Sequence, residues 1–406
     1  MTFSVIWEMT PNAEIVKTRF CKAIIKSDAA LSYAEAQARI DDRSDQSKLT
    51  KTLRILLKLT KKIRAGRTER GALELASQEM RFELDSETQD PTDVAEYQLR
   101  ETNKLIEELM LLANQSVARK ILDTFPMFGV LRRHQPPKDE ALKMLKKLLA
   151  KNGHDDFKFG SNKELGESLS KAVKPGDPYF NKLVRIMTTR CMNQAEYFCT
   201  GEVQPALYGH YGLAMDLYTH FTSPIRRYAD VLVHRLLAAA LGIAPLPEQL
   251  QSKKVIVEQC DKINIKHRMS QWAGRASGDL HTYMFFNRKG AMEAEAIVTR
   301  IRRSGMQVMV PRYGIEGVVS MPEVDWQMDE EEQCIVSRTD SSLRIAVFGH
   351  VIVCIEADGT DFRNRTVMQF NRVVKDSERE SAEAADDSRK KAEKEMFPNR
   401  LEREAN

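Results

Sequence analysis

The chain has 406 residues, a net charge of +4, 30% charged and 42% hydrophobic residues, a length that suits roughly two to four domains each able to bury a core. Six dispersed cysteines (Cys21, Cys191, Cys199, Cys260, Cys334, Cys354) with no C-x-x-C pair exclude a disulfide-stapled scaffold and a cysteine zinc site, and suit a reducing compartment. No apolar run is long enough to span a membrane and MTFSVIWEMT lacks the basic lead of a secretory signal, so the expectation is a soluble intracellular protein with no membrane partner.

In chain order, TFSVIWEM and AEIVKTRFCKAIIKS alternate as two strands around Pro11-Asn12 and predict a hairpin. YAEAQARI, SKLTKTLRILLKLTKKIRAGRTE and TNKLIEELMLLANQSVARKILDTF carry helical spacing, with a strand signal at MRFELD between the last two. KDEALKMLKKLLAKNG and QLQSKKVIVEQCDKINIKHRMSQWAGRASGDLHTYMFF predict further helices. Near Asn287 the period switches to alternation. EAEAIVTRI, GMQVMVPRY, GVVSM, LRIAVFGHVIVCIEA and RNRTVMQFNRV predict short strands of an OB-fold barrel. The end is so charged and so poor in apolar residues that a disordered or transiently helical tail is expected.

The central stretch YTHFTSPIRRYADVLVHR predicts a helix from Ser223 to about Gly242, with Thr222 or Ser223 as N-cap, Pro224 in the first turn, and Ile225, Ala229, Leu232 and Leu236 as its apolar stripe. Arg226 and Arg227 would then crowd a positive helix end, a cost of about 0.3–1 kcal/mol each. An anion such as phosphate would offset it. The plainer reading pairs Arg226 with Asp230, four residues on.

Glu107 and Glu108 interrupt an apolar helix, where Glu107, Leu111 and Asn114 share a face and offer a ligand a carboxylate and an amide; a solvent-facing stripe explains them equally. Ser223, Asp230 and His234 do not make a triad, because no G-x-S-x-G elbow is present and Asp230 to His234 is plain helical spacing. His210, His220 and His234 lack metal-ligand spacing. Asp41-Asp42 reads as a polar turn rather than a magnesium pair. Basic concentrations at KLTKKIRAGRTER, at Arg132-Arg133-His134 and at RIRRSG suit a polyanion, although each alone also fits a solvated helix face.

HYGLAMDLYTHFTSPIRRYADVLVHR closely resembles the signature of the ribonuclease II and ribonuclease R family, whose catalytic unit is the RNB domain. SVIWEM, LSYAEAQARIDD, GALELAS, LIEELMLLAN, MFGVLRRH and DPYFNKLVRIMTTRCMNQAEYF add matches in order, most like the exosome-type branch, and the resemblance covers about residues 2–375. It implies an α+β protein: the helix-rich C-terminal portion of an RNB catalytic domain at 1–287, a small S1-like OB-fold barrel at 288–375 and a charged tail at 376–406. The implied activity is hydrolysis of single-stranded RNA from its 3′ end with magnesium held by an aspartate cluster.

By the same resemblance Arg226 is the catalytic contact at the scissile phosphate and Glu107 meets a terminal nucleotide. Asn114, Tyr218, His220, Thr222, Ser223, Arg227 and Tyr228, with Arg132 and Arg133, are expected to line the RNA path. Arg300, Arg302, Arg303 and Arg312 are expected to bind RNA on the barrel, with Tyr313 for stacking. At Leu75 bacterial relatives carry an aromatic. The family's D-x-D-D cluster lies upstream of the S-V-I-W segment and has no counterpart here, so a C-terminal piece without metal ligands is expected, feeble or inactive alone. Exosome core subunits are the implied partners, in nucleus and cytoplasm. The alternative is a non-catalytic RNA-binding or exosome scaffold protein.

Overall fold

The computed structural model describes residues 1–76, 80–88, 91–96, 99–322, 324–340, 343–360 and 366–374. The tail expected at 376–406 lies outside the described residues. The chain opens with the expected hairpin, β1 (Thr2–Met9) against β2 (Ile15–Ala23), followed by α1 (Tyr33–Asp41) and α2 (Lys48–Glu69). Ser32 and Ser47 cap these two helices by accepting the N–H of the third helical residue. Asp42 ends α1 by accepting from Ser44, so the Asp41-Asp42 pair is the polar turn that was expected.

The strand expected at MRFELD is β3 (Met80–Leu84), paired with β4 (Pro91–Glu96). Then come α3 (Glu101–Thr124), β5 (Val130–Arg133), α4 (Asp139–Ala150), α5 (Asn162–Lys171), α6 (Phe180–Cys191), β6 (Glu196–Cys199), α7 (Tyr228–Ala240) and α8 (Lys253–Lys289). β5 and β6 pair antiparallel far apart in sequence and escaped the sequence reading, because four-residue strands are too short to show a period.

The central helix is a correction. It starts at Tyr228 instead of Ser223. The Ser223 carbonyl accepts the N–H groups of both Arg226 (3.2 Å) and Arg227 (3.1 Å), closing a turn over Pro224 to Arg226. Arg227 is extended at φ −128°, ψ 118°, which separates that turn from the helix. Ile225, expected in the apolar stripe, is 97% exposed, and the buried stripe begins at Ala229.

After α8 the chain enters the barrel: β7 (Met292–Arg302), β8 (Gly305–Val310) and β9 (Ile315–Ser320), then β10 (Trp326–Asp329), β11 (Cys334–Ser337) and β12 (Arg344–Ala346) as a separate small sheet, then β13 (His350–Ala357) and β14 (Thr366–Val373). The closed order β13-β14-β9-β8-β7 is the five-stranded barrel expected of an OB-fold. Gly305 must be glycine: its φ is +138°, and a Cβ would stand 2.1 Å from the Val319 carbonyl oxygen. The run LRIAVFGHVIVCIEA, expected as one strand, breaks into β12 and β13 at Phe348, whose φ is +71°.

Barrel and helical body share one core. Leu142, Leu149, Phe180 and Leu183 of α4 and α6 are continuous with Val298, Val308 and Val353 inside the barrel. Phe180 stands 4.8 Å from Phe348, and Phe286 at the end of α8 meets Tyr313 edge-on at 5.3 Å. A second core packs α7 between α3 and the start of α8, with Val117, Ile121, Leu232, Leu236 and Ile256 buried. It supports the segment that carries the Arg226 turn.

Candidate nucleic-acid interface

The Arg226 turn is held from below by a carboxylate. Asp230, in the first turn of α7, is fully buried. Its Oδ1 accepts the Ser223 N–H (2.7 Å) and Arg227 Nη2 (2.8 Å), while Oδ2 accepts Arg227 Nε (2.8 Å). A carboxylate at a helix start is favoured by the free N–H groups there, and a forked arginine contact fixes it further. Arg227 Nη2 also reaches Thr222 Oγ1 at 3.4 Å. Arg227 is therefore the salt-bridge partner that the sequence reading offered to Arg226. Arg226 itself is exposed, and its side chain makes no hydrogen bond or ion pair among the described residues. Ser223 serves through its backbone, and Tyr228 opens α7 half-exposed.

Upstream of the turn, Tyr218 and His220 lie in a cluster of rings. Tyr218 and His220 centroids are 5.4 Å apart, Tyr197 and His220 5.6 Å, and His210 and Tyr218 5.3 Å. Tyr197 and its hydroxyl come from β6, and that hydroxyl is 2.6 Å from His220 Nδ1. Arg132 of β5 faces Tyr197 across the ladder and lays its guanidinium 4.6 Å over that ring. Burial, then the positive charges of Arg132 and Arg227, hold His220 neutral with a pKa lowered to about 2. Burial, then His134 and Arg132, lower His210 to about 3. Burial also lowers the Arg132 pKa.

Asn114 was expected to offer its amide to a ligand. Instead both its polar atoms are engaged inside the protein: Oδ1 accepts the Phe221 N–H (2.8 Å) and Nδ2 donates to the Tyr218 hydroxyl (3.0 Å). Two helical turns earlier the same face is uncovered, and Glu107 keeps 59% of its side-chain surface exposed. The neighbour Glu108 is the buried carboxylate, gripped by Arg67 through Nε (3.2 Å) and Nη2 (2.5 Å). Arg133 is also committed, forming an ion pair with Glu196 directly opposite on β6 at 2.6 Å.

Beside the ring cluster opens a cleft of about 660 Å³, lined among others by Arg70, His134, Asn162, His210, Tyr211 and Met215. On the barrel, Arg300, Arg302, Arg303 and Arg312 are exposed. Tyr313 is not available for stacking, because its ring is buried at the barrel base under Arg312. Tyr197, His210 and Asp230 were missed as members of the site. Only the matching helical offset of Arg227 and Asp230 could have signalled any of them.

Residues 1–243 match the RNB domain, and residues 292–370 match an S1 domain. The chain belongs to the RNB family. It is 50% identical over 362 residues to the "Exosome complex exonuclease RRP44 homolog A" of Arabidopsis thaliana, covering 88% of this chain and 38% of that protein. Against the human "Exosome complex exonuclease RRP44" identity is 45% over 372 residues, covering 90% of this chain and 38% of the relative. The chain thus spans about two fifths of the length of these RNB relatives. Among solved structures, Mycoplasma genitalium RNase R in its apo form superposes with a TM-score of 0.78 at 21% identity, covering 90% of this chain and 57% of that one. Yeast Ssd1, a pseudonuclease, gives 0.67 at 18% identity, covering 92% and 56%. Both share the fold.

Among the described residues the magnesium ion implied by the family resemblance meets no donor set. Among the described residues no group of three or more His, Cys, Asp or Glu side chains is placed to hold a metal. Asp230 is consumed by Arg227 and the Ser223 N–H, Glu108 by Arg67, and Glu107 stands at the surface. These residues do not fit the ion. Among the described residues no helix is long and apolar enough to cross a membrane.

Proposed function

We propose that the chain serves exosome-type degradation of single-stranded RNA from the 3′ end and grips the RNA backbone at the S-P-I-R turn. One observation carries this reading: Arg226 projects an unpaired cation from a turn whose backbone is locked by the buried Asp230–Arg227 pair. The locked turn fixes where the Arg226 side chain starts, and a cationic contact to the charge that develops on a phosphate is commonly worth about 2.7–4 kcal/mol in a transition state. The barrel carries exposed arginines of its own, Arg300, Arg302, Arg303 and Arg312. Exosome core subunits are the proposed partners, in nucleus and cytoplasm.

The second reading, a non-catalytic RNA-binding or scaffold protein, is favoured by the lack of a metal donor set among the described residues. Hydrolysis separates the two questions. Incubated with a 3′-overhang RNA and magnesium, the chain is expected to bind and to release mononucleotides feebly or not at all. Processive release abolished by a chelator would refute that expectation and show a carboxylate site elsewhere. For the grip itself, fluorescence anisotropy with labelled single-stranded RNA is expected to show salt-sensitive binding that Arg226→Ala weakens; parental affinity in that variant removes Arg226 from the interface.

A further inference from the structure

Arg132 has only 9% of its surface exposed, yet its Nη1 has no hydrogen-bond partner among the described residues. The same holds for Nδ1 of His210, in the ring cluster next to it. Buried guanidinium donors are normally matched by carboxylates or carbonyls. The carboxylate nearest in role, Asp230, has both oxygens engaged by Arg227 and the Ser223 N–H.

Around Arg132 the Tyr197 hydroxyl accepts a hydrogen bond from the guanidinium, and what remains near the unmatched Nη1 is richer in donors than in acceptors. The Tyr218 hydroxyl accepts from Asn114 and keeps its own proton to give. With the Tyr197 hydroxyl donating to His220 Nδ1, the neutral His220 ring carries its proton on Nε2. The charge count is equally specific. Arg227 and Asp230 cancel, both histidines are neutral, and Arg132 leaves one positive charge. A group with several acceptor oxygens and a single negative charge fits, which describes a phosphodiester.

We propose that Arg132, with His210 and the Tyr218 hydroxyl, forms a second anion subsite that takes a backbone phosphodiester of single-stranded RNA, in addition to the contact at Arg226. The subsite rests on the RNA-binding reading above. Stacking on Tyr197 holds the guanidinium plane, so its fork is presented without loss of side-chain freedom on binding.

The test uses the full chain with Arg132→Met and the milder Arg132→Lys, which keeps charge without the fork. Labelled single-stranded RNA is titrated by anisotropy across a salt series, and thermal midpoints are recorded with and without inorganic phosphate. Arg132→Met is expected to bind RNA about ten-fold more weakly and to lower the slope of log affinity against log salt by about 0.7, the loss of one phosphate contact. Arg132→Lys is expected to keep the slope but not the full affinity. Without ligand, the Arg132→Met midpoint is expected to stay level or rise, since an unpaired buried charge has gone. Phosphate is expected to raise the parental midpoint more than that of the variant.

Parental RNA affinity and slope in Arg132→Met overturn the subsite and leave the RNA reading intact. A parental chain that ignores RNA but gains stability from phosphate through Arg132 keeps the anion subsite and overturns its assignment to RNA. A lower Arg132→Met midpoint with unchanged RNA slope makes Arg132 a packing residue only. If Arg132→Met fails to fold, an Arg132→Lys affinity equal to the parent's overturns the forked contact. Displacement of RNA by an acidic peptide at lower concentration than by unlabelled RNA assigns the subsite to a protein carboxylate and overturns the phosphodiester.

Discussion

Replacing Arg227 by alanine strips the buried Asp230 carboxylate of a partner that reaches it from two nitrogens, each at 2.8 Å. Such a buried, abandoned charge costs about 3–5 kcal/mol, so Arg227→Ala is expected to lower the thermal midpoint markedly. Arg226→Ala is expected to leave the midpoint unchanged and to weaken RNA binding, because its exposed side chain has no partner to lose. Equal midpoints for the two variants would contradict the division of labour. From sequence the plainer reading paired Arg226 with Asp230. The extended conformation at Arg227 reversed that, by turning its fork onto Asp230. His210 and His220 make a pH prediction at the same scale. Both are held neutral when folded, at about 3 and about 2, and take up protons near the ordinary 6.5 when unfolded. The unfolded state therefore binds more protons below that value, and stability falls as pH drops from about 6.5 toward the folded values, by up to about 1.4 kcal/mol per pH unit for each ring. Denaturant titrations of His220→Asn across that window are expected to show a shallower fall; an unchanged slope would mean that His220 is not held neutral.

Among the elements, α3 was legible and its exposed and buried faces were not. Its periodicity predicted the helix, but one face runs from exposed Glu107 to buried Asn114 because the segment 218–221 covers only its later turns. Asn114→Leu removes an acceptor from the Phe221 N–H and a donor from the Tyr218 hydroxyl. Leaving such groups unmatched costs about 1–3 kcal/mol. The expected result is a destabilised chain with faster hydrogen exchange at the Phe221 amide, and protection equal to the parent's would show that α3 does not hold the segment. Short elements fared worse. β5 and β6 carry Arg132 and Tyr197 to one place, yet each has four residues, and their pairing joins positions more than sixty apart. Local pattern cannot specify a contact of that range.

Across the whole molecule, the barrel is fastened to the helical body by a buried histidine. His350 at the start of β13 contacts Asp177, ahead of α6, at 3.0 Å through Nε2, and Glu295 of β7 at 2.6 Å through Nδ1. Lys151 and Glu332 add a pair at 2.8 Å across the same junction. His350→Ala is expected to cost about 1–3 kcal/mol and to raise hydrogen exchange in β13 and α6 together. Loss confined to the barrel strands would mean that the histidine does not join the two parts. The boundary expected between 287 and 288 falls in the last turn of α8, which ends at Lys289 ahead of β7 at Met292, and the packing has no gap there, since the core is continuous across it.

Read alone, the sequence determined the α+β class, the hairpin, most of the helices, the barrel and the family, because these depend on local period, turn chemistry and ordered motifs. It also placed Arg226, Arg227 and Tyr218 in one segment. Only the tertiary structure decided which arginine is spent on Asp230, which glutamate of the pair is buried, that Asn114 is engaged at both polar atoms and Tyr313 inaccessible, and that Arg132 is buried with a free donor. Each of those outcomes depends on what a distant segment lays over a side chain. Burial and hydrogen-bond partnership are properties of the packed whole, and chain neighbours do not carry them.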